Sequence, residues 1–126
     1  MKYICDTNFI VGYLAQNDQD ITKSTKEIFN KTKTGELTLI LEQTVFTEII
    51  FVLSTFYKTP RDKIVFVMSE LISYKGMDCD KNLFLLALKY YEMHNIHIVD
   101  CLLIAQSKIT NIPVLTFDKK LDSLLV

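Results

Sequence analysis

Short apolar runs alternating with helical patterns are the feature that most limits how this chain can fold. The first run, Tyr3-Ile4-Cys5, stops at Asp6-Thr7-Asn8, three residues that favour caps and turns. That pattern predicts a buried strand followed by a helix start near Phe9. Ile21, Thr25, Ile28 and Phe29 share one face of a helix expected over residues 21–33, with Gly35 as its stop. Residues 37–41 are a second strand-length apolar run, and residues 44–57 predict a helix that is apolar on nearly every side except at Glu48. Thr59-Pro60 makes an N-cap and first-turn pair for a helix carrying Ile64, Val67, Met68, Leu71 and Ile72, which Gly76 closes. A further helix fits residues 80–94, and a buried one follows Ile98-Val99-Asp100. Residues 113–116 read as a last strand, and Asp118 begins a short terminal helix with Leu121, Leu124 and Leu125. Strands separated by helical patterns indicate an α/β domain. The expected architecture is three-layer α/β/α, with a mainly parallel central sheet and helices on both faces.

Composition supports that reading. Only three glycines and two prolines occur among 126 residues, well under the typical ~12%, so long helices joined by short connections are expected. The length predicts one domain over residues 1–126. No window approaches the ~18 uninterrupted apolar residues of a membrane span. The most apolar stretch, residues 45–53, is broken by Thr47 and Glu48. Cys5, Cys79 and Cys101 lie far apart and form no C-x-x-C. With no signal peptide ahead of Tyr3, reduced thiols in the cytoplasm are expected.

The charge balance, 14 Lys plus Arg against 15 Asp plus Glu for a net charge of −1, excludes a broad basic grip on nucleic acid, which needs a cationic excess. What stands out is where four of the acids lie. Asp6 follows Tyr3-Ile4-Cys5, and Glu48 interrupts the apolar helix of residues 44–57. Asp100 lies in Ile98-Val99-Asp100-Cys101-Leu102-Leu103, and Asp118 closes Val114-Leu115-Thr116-Phe117. Asp6, Asp100 and Asp118 each also read as helix caps or Asx turns. Glu48 is mid-helix, where no cap is needed, and no Lys or Arg lies within four residues of it. A buried carboxylate there must be neutralised, paired or metal-bound. In open α/β sheets the site lies beyond the carboxyl ends of the strands, which is where the pattern puts Asp6 and Asp118. Four carboxylates converging there would repel one another by roughly 3 kcal/mol per pair at ~5 Å and an effective dielectric of ~20. Six such pairs exceed the usual net stability of ~5–15 kcal/mol. Such a cluster needs protons or divalent cations, and hard oxygen ligands suit Mg²⁺ or Mn²⁺.

Cys5-Asp6-Thr7-Asn8, Thr47-Glu48-Ile49, Val99-Asp100-Cys101-Leu102-Leu103-Ile104-Ala105 and Leu115-Thr116-Phe117-Asp118, in this order and spacing, resemble a PIN domain. The resemblance is closest to the small single-domain ribonucleases that serve as VapC-type toxins of toxin–antitoxin pairs. It implies a metal-dependent endoribonuclease, with RNA as substrate and 5′-phosphate products. Asp6, Glu48, Asp100 and Asp118 would be the catalytic and metal-binding acids, holding Mg²⁺ (or Mn²⁺), with Asn8 and Thr116 supporting the site by hydrogen bonding. Asp6 and Asp118 would ligate directly. Asp100 would ligate or hold a metal-bound water, and Glu48 would act through water or by positioning a base. Cys101 stands where an alanine is common in the family. A PIN nuclease of RNA processing, or a non-catalytic PIN-like interaction module, are the alternatives.

Other constellations are weaker. His94 and His97 form H-x-x-H near Cys101, which is neither a zinc-finger nor a zincin pattern. A histidine in the last turn of a helix is more simply explained by the macrodipole. No Gly-rich phosphate loop occurs, because Gly12, Gly35 and Gly76 are isolated. Lys23, Lys26, Lys31 and Lys33, with Lys58, Arg61 and Lys63, read first as solvated helix faces and second as guides for RNA. Tyr90 and Tyr91 read as core and rim rather than a base-stacking platform. Phe46, Phe51 and Phe56 supply more apolar surface than one small domain hides, which a homodimer or an antitoxin protein would use. Four acids in one site would also leave the rest of the chain mildly basic, so the near-neutral total does not exclude RNA itself.

Overall fold

The computed structural model describes residues 1–15 and 23–125. These fall into two compact units, Met1–Cys79 and Asp80–Val126.

The first unit contains β1 (Lys2–Ile4), α1 (Thr7–Leu14), α2 (Lys23–Thr34), β2 (Thr38–Ile40), α3 (Gln43–Thr55), α4 (Arg61–Ser73) and β3 (Met77–Asp78). The three strands form one parallel sheet in the order β1-β2-β3, with Ile4 opposite Ile40 and Ile40 opposite Asp78. Two helices fill each crossover between neighbouring strands, as parallel pairing demands. The core is built from Ile10, Phe29, Leu39, Phe46, Ile49, Ile50, Ile64, Met68, Leu71 and Ile72, all fully buried or nearly so. α3 packs against both α1 and α4. Tyr13 stacks on Phe29 with ring centroids 3.8 Å apart, and its hydroxyl meets that of Tyr74 at 2.7 Å, tying α1 to the end of α4.

The expected strand β1 is present but not buried. Ile4 is 74% exposed, and only Cys5 just after the strand is buried. Gly35 ends α2 in the left-handed region, at φ 86°. The expected first turn of that helix at Ile21 lies outside the described residues. Thr59 is not the N-cap of α4. Its N–H is donated back to the Leu53 carbonyl at the end of α3, so Pro60 becomes the cap and the helix starts at Arg61. β3 was not anticipated. It is two residues long and too short to show alternation, and its one sequence cue is Gly76. A Cβ at Gly76 would overlap the Leu37 carbonyl oxygen. Glycine is therefore what lets this backbone approach β2 and form the Leu39 N–H to Gly76 carbonyl bond of 2.9 Å.

The second unit is helical: α5 (Lys81–Met93), α6 (Ile98–Thr110) and α7 (Lys119–Leu124). α5 buries Leu83, Phe84, Ala87, Leu88 and Tyr91, α6 buries Ile98, Cys101, Leu102, Ile104 and Ala105, and the two helices pack together. The small side chains of Ala87, Cys101 and Ala105, all fully buried, permit close packing. Asn111 ends α6 in the left-handed region, at φ 60°.

The strand expected over residues 113–116 does not form a ladder. Among the described residues of this unit there is no strand to pair with, Pro113 has no N–H to give, and Leu115 and Phe117 are fully exposed. The apolar pattern predicted a strand, but a strand also needs a hydrogen-bonding partner. The α/β class and the parallel sheet agree with the sequence reading.

Candidate functional site

In the first unit, Asp6 stands two residues beyond the end of β1 and is the N-cap of α1, where its Oδ1 accepts from the Phe9 N–H at 3.0 Å. The cap reading of Asp6 is therefore correct, and it leaves the second carboxylate oxygen available. Asp6 is exposed at the rim of a largely apolar cavity of about 330 Å³, lined among others by Tyr3, Ile4, Phe9 and Ile28. Asn8 is exposed on the first turn of α1. Glu48 lies on α3, the helix against which α1 packs. It corrects the sequence argument, because it is exposed rather than buried. α3 turns a single stripe inward, Phe46, Ile49, Ile50 and Leu53, and Glu48 lies off that stripe. Its apolar neighbours surround it in sequence but not in space, so desolvation does not force a partner on it.

In the second unit, Asp100 is half-buried in the first turn of α6. It is not the N-cap as one reading had it, since that position belongs to His97, which makes no side-chain cap bond. Asp118 is the N-cap of α7, with Oδ1 accepting from the N–H groups of Lys120 at 2.9 Å and Leu121 at 3.1 Å. Thr116 Oγ1 accepts from the Asp118 N–H at 3.0 Å and so shapes the turn that presents the carboxylate. α6 and α7 are in contact. Each unit thus carries two of the four acids on a pair of helices that touch. Within neither unit do the described residues bring three His, Cys, Asp or Glu side chains close enough to hold a metal ion.

By donor chemistry these residues fit a divalent ion. All four offer hard carboxylate oxygens, and among the described residues none of the four forms an ion pair. A two-carboxylate set is also what Mg²⁺ commonly takes from a protein, the remaining positions going to water and substrate phosphate. His94 is the C-cap of α5 and stacks on Tyr90, and with His97 it forms no metal-binding group among the described residues.

Two acids the sequence reading passed over share the carboxyl edge of the sheet with Asp6. Glu42 is the N-cap of α3, two residues beyond the end of β2, and makes no side-chain cap bond; Asp78 ends β3. The signal for Glu42 was available, since it follows the apolar run of residues 37–41 as Asp6 follows Tyr3-Ile4-Cys5. Cys5, buried beside Asp6, has its thiol pushed up to about 11, by burial first and by the Asp6 charge second. The three cysteines form no disulfide.

The lysines of α2 are exposed, with Lys31 near Glu27 at 4.0 Å and Lys33 over the Tyr74 ring at 5.5 Å. Tyr91 is buried and Tyr90 half-buried, as core and rim. Phe46 is fully buried, contrary to the expectation that it adds to the surface, whereas Phe51 and Phe56 are well exposed, as is Phe66 on α4. No described helix is long and apolar enough to cross a membrane.

Neither the curated proteins nor the solved structures give a significant match to this chain. The family profile of the PIN domain does match, over residues 3–124, a span that includes all four acids and most of each unit. PIN domains are generally nucleases that use divalent metal ions and act on nucleic acid, with a three-layer α/β/α fold. Coverage of nearly the whole chain, together with the parallel sheet and its helical crossovers, means that the chain belongs to the PIN domain family.

Proposed function

We propose that this chain is a divalent-metal-dependent endoribonuclease, the VapC-type toxin of a toxin–antitoxin pair, with residues 1–126 forming one PIN domain. The observation that carries the reading is the setting of the four acids within the family match. They stand after β1, on α3, in the first turn of α6 and at the cap of α7, and none is consumed by an ion pair among the described residues.

Asp6 and Asp118 each spend Oδ1 on a helix cap, which fixes the carboxylate and leaves Oδ2 as a ligand. Asp100 and Glu48 complete the set, Asn8 and Thr116 support it, and Mg²⁺ or Mn²⁺ is the metal. When bound, the ion supplies charge stabilisation at the scissile phosphate and lowers the pKa of the attacking water. The chain itself orients the carboxylates, and Glu48 would hold the ion through water or position a base. RNA is the substrate, cleaved to leave 5′-phosphates. Exposed Phe51, Phe56 and Phe66 support a protein partner, either a second copy or a small antitoxin. Cysteines without disulfides support a cytoplasmic location.

The test is a mixed RNA pool incubated with purified protein, free of any inhibitor partner, in Mn²⁺, in Mg²⁺ and in EDTA. Metal-dependent internal cleavage with 5′-phosphate ends is the expected result. No cleavage in any metal moves the protein to the non-catalytic interaction module.

A further inference from the structure

Lys120 donates twice. Its backbone N–H goes to Asp118 Oδ1 at 2.9 Å, and its ammonium goes to the Asn95 carbonyl oxygen at 3.1 Å. Asn95 lies in the link of residues 94–97 that joins α5 to α6, and Asp100 lies in the first turn of α6. One residue therefore ties the turn presenting Asp118 to the link that leads into α6. The next residue, Leu121, is buried and anchors α7. The Lys120 side chain bonds a neutral carbonyl rather than a carboxylate, so its role is not charge neutralisation. It removes freedom between the turn that presents Asp118 and the link that leads into α6, whose first turn carries Asp100.

We propose that Lys120 is a positioning residue. Its side chain clamps the start of α7 to the link ahead of α6 and holds Asp118 and Asp100 in the mutual geometry that a divalent cation requires. This rests on the metal-site reading above.

Charge alone argues the opposite sign. An ammonium two residues from Asp118 repels an incoming dication, so removing it would tighten metal binding. Positioning requires that removing it weaken metal binding, as loss of a group that orients metal ligands does, by about 10–100-fold.

Mn²⁺ binding to the full chain, read by calorimetric titration well below the melting temperature of every variant, separates the two. Lys120→Met is expected to lose roughly tenfold or more in Mn²⁺ affinity, and Lys120→Arg, which restores a donor of similar reach, to recover most of it. Lys119→Met, a charge loss at the exposed neighbour, should leave the affinity at the wild-type level or slightly tighter. Wild-type or tighter affinity in Lys120→Met overturns the proposal, and so does an equal loss in Lys119→Met. Asp118→Asn is the reference. If it binds Mn²⁺ as wild type does, the metal-site reading fails and the inference with it. If it loses Mn²⁺ while Lys120→Met does not, only the inference fails.

Discussion

The two units hold their acids by different means. In Met1–Cys79 a parallel sheet ends at the acids: Asp6 follows β1, Glu42 follows β2 and Asp78 closes β3. In Asp80–Val126 no described strand exists, and Asp100 and Asp118 are placed by helix starts, by the Thr116 hydroxyl and by the Lys120 side chain. Sheet ends are stiff because each strand is tied along its length to a neighbour. Helix starts joined by links depend on a few discrete hydrogen bonds. The second pair of acids is therefore the one more open to adjustment by single side chains.

The largest test of this comparison asks whether both pairs serve one chemistry. Asp6→Asn and Asp100→Asn should each lower metal-dependent RNA cleavage on the order of 10³-fold, the kinetic equivalent of losing several kcal/mol of charge stabilisation. Asn caps a helix about as well as Asp, so Asp6→Asn should melt at nearly the wild-type temperature. Cleavage that survives one of these changes in full would assign the chemistry to the other unit alone.

The next test concerns the cores. Phe46→Ala in the first unit and Phe84→Ala in the second remove side chains that are almost wholly buried. Each should cost about 3–5 kcal/mol, whereas Phe51→Ala at the exposed surface should stay within about 0.5 kcal/mol. In denaturant unfolding, one domain gives a single transition in both core variants. Two separated transitions would replace it with two independently folding units.

Glycine substitutions sharpen the picture within the first unit. Gly76→Ala forces a methyl onto the Leu37 carbonyl and should destabilise by roughly 1–3 kcal/mol, while Gly12→Ala, inside α1 with open space around it, should stabilise by about 0.5–1 kcal/mol. Melting curves of the two variants should move in opposite directions.

The smallest effect is a pH dependence confined to the first unit. Folding raises the Cys5 thiol from 9.0 to about 11, so the thiolate favours the unfolded chain. Its contribution to stability is fully present below pH 9 and is lost as pH rises from 9 through 11. Tyr74, raised by burial and by its bond to Tyr13, acts in the same direction. Cys5→Ala should flatten the alkaline fall in denaturation midpoint between pH 9 and 11, whatever it does to stability at neutral pH.

Much of this was legible in the residues. Helical periodicity located α3, α4, α5 and α6 to within a few positions, because spacings of three and four report one buried stripe whatever it packs against. Asp6 and Asp118 were readable as caps, since capping is local chemistry between a carboxylate and N–H groups two or three residues on. Burial was less legible. Glu48 and Phe46 sit two residues apart in the same apolar run, yet one is exposed and the other fully buried. Which side of α3 faces the core is set by its contacts with α1 and α4, and no window of sequence contains those. β3 was missed for the same reason, being created by Gly76 meeting the backbone of residues 32–39.

By itself the sequence determined the elements that depend on neighbours along the chain: the helices and their caps, the first two strands, and the ordered set of acids that marks the family. Tertiary structure alone decided what depends on partners distant along the chain. It made Met77–Asp78 a strand, left residues 113–116 without a ladder, brought Glu48 to the surface and joined Lys120 to Asn95. A helix satisfies its own hydrogen bonds, whereas a strand, a buried face or a clamp exists only when another segment supplies the other half.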